Sequence, residues 1–308
     1  MGIVEIICSE IEMLTMRDAY MNFSLYFFKR KSTIIRINSL KDGDVMWILI
    51  RQLYASIFSR NKLLLKVNNR LLDLALSALG YNNFRNMKES GEEFFIDKYL
   101  SNKPINLCFD IGANVGDYSN ILLEKTNSKV ISFEPLPFVF KKLSDNLANF
   151  SDRSVLINKG VGAKSETLTI HYNENASAHA SFSEEVSQID YLNNDDSLEI
   201  EVTSIDDYCR DNIITDVDLI KIDTEGFEKE VFEGTIETFE NIQPKFIQIE
   251  FNWHQLFRNT SLNFFAEKLP NYNVYQLTYN SMRKVDSKLP YSNIYMFSNF
   301  VFIRKDCD

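Results

Sequence analysis

The segment NLCFDIGANVGD, residues 106–117, decides the fold. It begins as a short apolar run that ends at Asp110, turns through Gly112 and Gly116, and continues as a helical pattern from Asp117. This order predicts a strand, a tight loop and a helix. In a parallel α/β sheet such a loop lies at the carboxyl edge, where glycine lets the backbone approach a ligand and the helix N-terminus offers unpaired N–H groups.

A second apolar run, residues 129–133, ends at Glu134 and Pro135. A βαβ unit places at this point the acid that accepts hydrogen bonds from ribose hydroxyls, so the pattern predicts a nucleoside ligand. A dinucleotide fingerprint would need glycine where this chain has Asn114, and Asp110 would repel a pyrophosphate. Because a carboxylate attracts an ammonium and a sulfonium instead, the loop favours S-adenosylmethionine over NAD.

Three motifs follow one another along the chain: FDIGANVG at residues 109–116, FEP at 133–135 and LIKIDTEG at 219–226. In order and spacing they resemble the FkbM family of S-adenosylmethionine-dependent methyltransferases, over roughly residues 94–305. The resemblance implies a Rossmann-like class I methyltransferase fold and O-methylation of an acceptor, often a sugar hydroxyl of a glycan or secondary metabolite. The sugar acceptor rests on the resemblance alone.

The expected cofactor contacts lie at the carboxyl ends of the first three strands. Asp110 is expected to hold the ammonium of the cofactor directly or through water, and Glu134, followed by Pro135, to bind the ribose. The remaining predicted contacts are Gly112, Asn114 and Gly116 around the methionine part, and the segment from Asn158 to Val161 beside the adenine.

Charged residues gather at the predicted ends of the fourth and fifth strands. Asp223 and Glu225 are the candidate general base or ligands of the acceptor hydroxyl, with Glu250 nearby. The alternative for Glu225 is an acid that stabilises a helix N-terminus, an effect of about 0.3–1 kcal/mol. Lys221 alternates with Asp223 along the strand, so it is expected to point the same way and to neutralise the pocket. Clustered carboxylates also suit Mg²⁺ or Ca²⁺, although the spacing does not demand a metal.

A polar segment of 25 residues, 173–197, separates two regions of regular pattern. A loop of this length in a folded domain is usually functional or disordered, so we expect it to form part of a lid over the acceptor. His179 lies in this loop and is a further candidate base, as is His254 after the fifth strand. For each, the alternative is a structural or solvated histidine, and His171 is not expected to act.

Strands and helices alternate from residue 105 onward, which predicts an α/β fold with a doubly wound, mostly parallel sheet. An extra strand at 166–172 is expected to pair outside this sheet, and residues 272–276 and 297–303 are expected to form a terminal antiparallel pair. The predicted strands of the central sheet are 105–110, 129–134, 154–159, 217–222 and 245–251, and the predicted helices are 117–127, 136–149, 204–211 and 226–240.

Residues 1–100 have helical patterns and are predicted to form an N-terminal extension of a methyltransferase domain at 101–308. The extension is expected to cover one edge of the sheet, to make a homodimer contact or to close over the substrate. Residues 20–36 combine aromatic and basic side chains that suit a peripheral membrane contact. The alternative is a helix packed on the catalytic domain.

The bulk properties limit the class of protein. The chain has 308 residues, and an apolar content of 45% is enough for a buried core. A formal charge of −10 argues against a surface that coats nucleic acid. The four cysteines form no C-x-x-C pair, and no apolar run is long enough to span a membrane, which predicts reduced thiols and a cytoplasmic location.

Two other classes of function stay open from the residues alone. One is an NAD-linked oxidoreductase, which would bind NADH and would not be stabilised by S-adenosylhomocysteine. The other is a noncatalytic nucleoside-binding module whose N-terminal helices recruit a glycan-processing partner. Its binding would be indifferent to the substitution Asp223→Asn.

Overall fold

The central element of the fold is an eight-stranded sheet. The structure is a computed structural model that describes residues 42–59, 62–172 and 196–308. A second, three-stranded sheet lies beside the large one. The strands in the described residues are β1 Leu107–Ile111, β2 Lys129–Phe133, β3 Ser154–Ile157, β4 Gly160–Val161, β5 Glu166–Tyr172, β6 Asp196–Thr203, β7 Leu219–Ile222, β8 Phe246–Phe251, β9 Tyr272–Thr278, β10 Ser281–Lys284 and β11 Ser298–Arg304.

The large sheet has the order β10-β9-β11-β8-β7-β1-β2-β3. Its strands from β8 to β3 are parallel, with Asp110 of β1 level with Ser132 of β2 and with Lys221 of β7. β11 is antiparallel to both β8 and β9, and β10 is antiparallel to β9. The prediction of a doubly wound, mostly parallel sheet with a terminal antiparallel pair is confirmed. β10 adds an antiparallel strand that the sequence analysis did not assign.

Both faces of the parallel strands are buried, which is why these strands are apolar without alternation. Phe109 and Ile111 of β1 belong to one buried cluster, together with Ile220 and Ile222 of β7. Cys108, between them in the chain, belongs to a second cluster on the opposite face. Full burial of one large apolar side chain contributes about 1.5–3 kcal/mol, so the two clusters hold the strand ends, and the loops that follow them, in fixed positions.

The smaller sheet has the order β4-β6-β5, with β5 and β6 antiparallel. The prediction that residues 166–172 pair outside the central sheet is confirmed. β6 was not predicted, although Leu198, Ile200 and Val202 alternate with polar residues as a half-buried strand requires. Ile170 and Ile200 pack on Leu136 and Val139, which anchors this sheet beside the end of β2.

The helices of the described residues are α1 Asp42–Phe58, α2 Lys62–Ala78, α3 Glu92–Phe95 continued by a π turn at Ile96–Leu100, α4 Asp117–Lys125, α5 Pro137–Asn146, α6 Ile205–Asp211, α7 Glu228–Glu233, α8 His254–Phe257 and α9 Leu262–Lys268. Of these, α3, α4 and α5 contribute to one of the two buried clusters and α6, α7 and α9 to the other, so they cover both faces of the large sheet. Short turns of other helix types occur at Ala148–Phe150, Thr238–Ile242 and Pro290–Ser292.

The single helix predicted at 226–240 is wrong, because the structure divides it into α7 and the turn at Thr238–Ile242. Gly234 packs against Gly162, where an added Cβ atom would lie 2.0 Å from the Gly162 carbonyl oxygen. Asp206 of α6 then accepts hydrogen bonds from the backbone N–H groups of Glu237 and Thr238, at 3.0 and 2.8 Å. A carboxylate that caps the second segment from outside the helix cannot be deduced from helical periodicity.

The chain divides into two compact units, residues 1–69 and 70–308. Within the first unit, the Tyr54 ring stacks on Phe58 and its hydroxyl donates to Asn68, which joins α1 to the second turn of α2. Among the described helices, none is both long enough and apolar enough to cross a membrane. The aromatic and basic residues at 20–36 lie outside the described residues, and the domain boundary at residue 100, the homodimer and the peripheral membrane contact stay predictions.

Candidate active site

A cleft opens at the carboxyl ends of β1, β2 and β7, where the sequence predicts the cofactor. The loop after β1, the residues after β2 and the turn after β7 contribute its walls, and the smaller sheet closes one side. The residues that line the cleft are Ile111, Gly112, Asn114, Phe133, Glu134, Pro135, Leu136, Lys159, Gly160, Val161, Ile170, Asp223, Thr224 and Glu225.

The loop after β1 is held at both of its sides. Backbone N–H groups of Gly112 and Ala113 donate to the Phe133 carbonyl at 3.0 and 2.9 Å, which fixes the loop to the end of β2. On the other side, Gly112 has a φ of +78°, and a Cβ atom at this position would lie 1.7 Å from the carbonyl oxygen of Asp223. Glycine at 112 therefore lets the predicted cofactor loop touch the strand end that carries the predicted base.

Glu134 lies at the base of the cleft with a side chain that is only 6% exposed. Its two carboxylate oxygens accept backbone hydrogen bonds from Asn114 N at 3.0 Å and Leu136 N at 2.9 Å. Burial raises the pKa of the Glu134 carboxyl to about 7, against the lowering effect of these two bonds. Each oxygen keeps a lone pair, so the buried carboxylate can accept further hydrogen bonds from a diol.

Three of the predicted cofactor residues lie outside the cleft wall. Asp110 is fully buried, and its Oδ2 accepts a hydrogen bond from Ser119 Oγ at 2.7 Å. Gly116 begins α4 and packs against Leu143 of α5. Asn158 donates its side-chain amide to the carbonyls of Glu134 and Pro135, at 2.8 and 2.9 Å. In these positions they hold the surrounding loops in place, and the direct cofactor contacts assigned to them stay predictions.

Three carboxylates converge beside the cleft. Oxygen atoms of Asp223, Glu225 and Glu250 all lie within 4.8 Å of one another. Asp223 and Glu225 follow β7, and Glu250 is near the end of β8, so the parallel pairing of these strands brings the three together. Burial raises the pKa of the Glu225 carboxyl well above its usual range, and the charge of Asp223 raises it further. Burial also raises the pKa of the Glu250 carboxyl, and the charges of Asp223 and Glu225 raise it further.

Lys221 supplies a positive charge to this pocket. Its side chain is 7% exposed, and its Nζ atom lies 2.9 Å from Asp223 Oδ2 and 3.7 Å from Asp110 Oδ1. Although burial opposes it, the attraction of the neighbouring carboxylates raises the pKa of Lys221, so the ammonium stays protonated at physiological pH. The prediction that Lys221 and Asp223 point the same way agrees with their 2.9 Å hydrogen bond.

Glu228 shapes the turn between Asp223 and α7, and the sequence analysis did not select it. Its buried carboxylate accepts hydrogen bonds from the backbone N–H groups of Thr224 at 2.9 Å and Gly226 at 3.1 Å, and from Gln255 Nε2 at 2.6 Å. Between them, Glu225 adopts a φ of +53°, which is strained for a residue with a Cβ atom. The signal in the sequence is an acid at the start of a helix, four residues after Thr224.

A family model for the methyltransferase FkbM domain matches residues 110–277, which is more than half of the chain. The chain belongs to the FkbM methyltransferase family. The match begins at Asp110, spans the cleft and the three carboxylates, and ends within β9. Membership makes the protein a methyltransferase with the class I α/β fold, which confirms the family, the fold class and the enzyme class that the three motifs predicted.

Two curated methyltransferases show which relatives this FkbM protein resembles. It is 23% identical over 168 residues to the 2-O-methyltransferase NoeI of Sinorhizobium fredii, over 51% of this chain and 68% of the relative. It is 24% identical over 144 residues to the hexuronic acid methyltransferase AglP of Haloferax volcanii, over 47% of this chain and 56% of the relative. The chain thus spans about two thirds of one relative and little more than half of the other.

Two solved structures illustrate the similarity of this chain to known structures. The fibrillarin pre-rRNA processing protein of Methanococcus jannaschii is 14% identical, with a TM-score of 0.40 over 71% of this chain and 76% of that one. The precorrin-6y C5,15-methyltransferase of Geobacter metallireducens is 12% identical, with a TM-score of 0.37 over 72% and 91%. Both scores are below 0.5, so neither similarity bears on the activity of this chain.

The histidines of this methyltransferase fall in three different settings. His179 and the predicted lid lie within 173–195, outside the described residues, so their roles stay predictions. His254 is buried, and its Nδ1 atom lies 3.3 Å from Glu225 Oε2, which places it behind the acidic pocket. His171 lies on β5 in the smaller sheet. Of the residues that line the cleft, Leu136, Ile170 and Thr224 were not selected from the sequence, because an apolar side chain or a single threonine does not by itself indicate a ligand site.

Proposed function

We propose that this FkbM protein is an S-adenosylmethionine-dependent O-methyltransferase that acts on a sugar hydroxyl. One observation carries the proposal: the backbone of Gly112, in the loop predicted to hold the cofactor, lies directly against the backbone of Asp223, which belongs to the carboxylate cluster. A donor in the cleft and a hydroxyl at the carboxylates would therefore be neighbours, as transfer of a small group requires.

The residues of the cleft fit an adenosine-bearing cofactor. Glu134 is a buried acceptor for a ribose diol, and Val161 and Ile170 supply apolar walls suited to a base. When bound, S-adenosylmethionine would supply an electrophilic methyl group on a sulfonium. The protein must orient the acceptor hydroxyl, take up its proton and exclude water.

Asp223 is the proposed base in this scheme. Lys221 fixes one of its oxygens at 2.9 Å and leaves the other to receive a proton from the acceptor. Burial raises the pKa of Glu225 and of Glu250, which favours their protonated forms, and a protonated carboxyl can donate a hydrogen bond to another sugar oxygen. We therefore assign Asp223 the role of base and Glu225 and Glu250 the role of hydrogen-bond donors to the acceptor.

The charge of the pocket narrows the acceptor class. The relatives named above methylate a 2-O position and a hexuronic acid, according to their names. In this chain, a carboxylate on the acceptor would lie beside the Asp223 carboxylate, which would repel it, while the ammonium of Lys221 is already paired with Asp223 and Asp110. The acidic pocket therefore supports a neutral sugar, free or carried on a nucleotide or glycan, rather than a uronic acid.

Binding and transfer test this proposal. S-adenosylhomocysteine at about a hundred times its dissociation constant should stabilise the protein by about 2.7 kcal/mol, and NADH at the same concentration should not. Transfer of labelled methyl groups should then be found with neutral nucleotide sugars and with envelope glycans, and more weakly with the matching uronic acids. Stabilisation by NADH alone would instead support the oxidoreductase alternative. Binding without transfer to any acceptor would support the noncatalytic module.

The transfer assay also tests whether the three carboxylates bind a divalent cation instead of acting as a base and two hydrogen-bond donors. Asp223, Glu225 and Glu250 offer oxygen ligands close enough together to hold a divalent cation, which would lower the pKa of an acceptor hydroxyl. If they act as a base and two donors, transfer should be insensitive to EDTA. Loss of transfer with EDTA and recovery with Mg²⁺ would assign the cluster to a cation.

Affinity for S-adenosylhomocysteine should rise with pH through about 7. The reason is that the Glu134 carboxyl, whose pKa is raised to about 7, accepts hydrogen bonds from both ribose hydroxyls with both of its oxygens only when it is ionised. Between pH 8 and pH 6 the ionised fraction falls about tenfold, and calorimetry should show a loss of affinity close to that factor. Glu134→Gln should bind about tenfold more weakly at pH 8 and lose this pH dependence.

A matched control for this substitution is Glu124→Gln, which changes an exposed glutamate on α4. This variant should keep both the affinity and its pH dependence. If Glu134→Gln bound as tightly as the unmodified protein at pH 8, the carboxylate would not be the ribose ligand.

A further inference from the structure

The helix α1 carries large apolar side chains that face solvent. Met46, Ile50, Leu53 and Ile57 recur at intervals of four, three and four residues, which aligns them along one side of the helix. Each of these four side chains is between 41% and 51% exposed, and the neighbouring Trp47 is 67% exposed. An exposed apolar stripe of this length is typical of a surface that contacts a partner or a lipid.

The helix α2 has two exposed stripes of different chemistry. The apolar stripe recurs at intervals of four and three residues, at Val67, Leu71 and Leu74. The basic stripe recurs at every fourth residue, at Lys62, Lys66 and Arg70. Intervals of three and four residues return to the same side of a helix, so the cations lie along one side and the apolar side chains along another. Such a helix can place its apolar side chains in lipid while its cations reach the headgroups.

Charge distinguishes this part of the chain from the rest. Residues 45–72 contain five basic residues and no acidic one, whereas the rest of the chain has 28 basic and 43 acidic residues. An anionic surface therefore attracts this segment and repels the remainder. A second copy of the segment offers no acidic side chain to pair with these cations, so charge disfavours a symmetric dimer built on it.

The aromatic and charged residues of α1 favour a helix that lies along a membrane surface. Arg51 is an exposed cation midway along the helix, and its charge would be costly in the centre of a bilayer. Trp47 and Tyr54 are exposed, and their amphipathic rings favour the boundary between headgroups and acyl chains. The hydrogen bond from Tyr54 to Asn68 joins α1 to α2, so the two helices form one structural unit at this point.

We propose that α1 and α2 bind the surface of an anionic phospholipid bilayer. The apolar stripes would enter the boundary between headgroups and acyl chains, and Arg51, Lys62, Lys66 and Arg70 would lie against lipid phosphates. This role goes beyond methyl transfer and does not depend on the chemistry of the cleft. A methyltransferase held in this way would meet acceptors carried on lipids more often than acceptors in solution.

Sedimentation of the full chain with vesicles tests the role of charge. Phosphatidylcholine vesicles that contain about 30% phosphatidylglycerol should bind the protein at least about tenfold more tightly than vesicles of phosphatidylcholine alone, and about 0.5 M salt should remove most of this difference. Replacing both Lys62 and Lys66 by glutamine should weaken binding to the anionic vesicles about 20-fold. The matched control replaces Lys141 and Lys164, two exposed lysines of the unit 70–308, and should bind within about twofold of the unmodified protein.

A second pair of variants tests the apolar stripe of α1. Ile50→Gln should weaken binding to the anionic vesicles about tenfold, because a large apolar side chain no longer enters the lipid. The matched control is Ile213→Gln, which changes an 85% exposed isoleucine in the loop after α6 and should leave binding unchanged. Both variants should unfold at the temperature of the unmodified protein, since both side chains are exposed.

Tryptophan fluorescence reports the contact directly. The chain has two tryptophans, so Trp253→Phe leaves Trp47 of α1 as the sole indole. Its emission should move to shorter wavelength with the anionic vesicles and should be quenched by brominated lipid. Unchanged emission, or equal weakening in the control variants, would overturn the lipid contact. A dimer that Ile50→Gln dissociates in sedimentation equilibrium would overturn it as well and would assign the surface to a second copy, whereas absence of methyl transfer would overturn only the proposed function.

Discussion

Replacing Asp223 by asparagine is expected to lower kcat for methyl transfer by about 10²–10⁴-fold, the usual contribution of a positioned general base. Asparagine keeps the size of the side chain but does not take up a proton from the acceptor hydroxyl. Lys221 would keep Asp110, 3.7 Å from its Nζ atom, as a partner, so the pocket should not collapse around an isolated charge. Affinity for S-adenosylhomocysteine should stay within about threefold.

The control for this result is Asp145→Asn, which removes an exposed carboxylate of α5 that pairs only with Lys141 in the described part of the chain. This variant should transfer methyl groups at the original rate, because surface ion pairs contribute little. Steady-state and single-turnover rates of both variants would separate chemistry from binding. A kcat for Asp223→Asn within a few fold of the original would mean that another group is the base.

Gly112→Ala is expected to have the largest effect on cofactor binding and on the stability of the fold. The new Cβ atom would lie 1.7 Å from the Asp223 carbonyl oxygen, and both belong to backbone that the sheet holds in place. Adding a side chain at a φ of +78° costs about 1–2 kcal/mol even without a collision. We expect a total loss of more than about 4 kcal/mol in the free energy of unfolding, and no measurable binding of S-adenosylhomocysteine.

Gly116→Ala separates backbone strain from the collision. Gly116 has a similar φ of +93°, but its added Cβ atom would meet the end of the Leu143 side chain at 2.6 Å, which can move. Denaturant unfolding should therefore show a loss of only about 1–2 kcal/mol for Gly116→Ala. Equal losses of unfolding free energy in the two variants would show that the close contact between Gly112 and Asp223 adds nothing to the cost of a side chain at a positive φ.

The sequence predicted the structure best in segments where a single strand and the loop after it form a complete structural unit. The apolar runs before Asp110 and Glu134 predicted two parallel strands, and the structure pairs them as β1 and β2. The predicted convergence of charged residues at the next two strand ends agrees with the positions of Asp223, Glu225 and Glu250. These inferences succeeded because the carboxyl ends of parallel strands meet at one edge of a sheet.

Contacts between distant parts of the chain explain where sequence reasoning stopped. The predicted helix at 226–240 divides because Asp206, far away in the sequence, caps the backbone at Glu237 and Thr238. Asn158 was expected beside the adenine, which stays a prediction, and its amide also bonds to the carbonyls of Glu134 and Pro135, a role that the sequence analysis did not include. A side chain that serves the backbone of another segment has the same residue type as one that serves a ligand, so composition and spacing do not distinguish them.

The amino-acid sequence by itself determined the strand–loop–helix order, the acids at the ends of β1, β2, β7 and β8 and the membership of the FkbM family, because these follow from local periodicity and from residue types at fixed spacing. Only the tertiary structure decided that Gly112 touches Asp223, that Asp110 is fully buried, and that Gln248 joins Glu92 to Tyr118 by hydrogen bonds. The reason is physical: burial and the approach of segments far apart in the chain set the charge and orientation of each group, and neither quantity is a property of its neighbours in sequence.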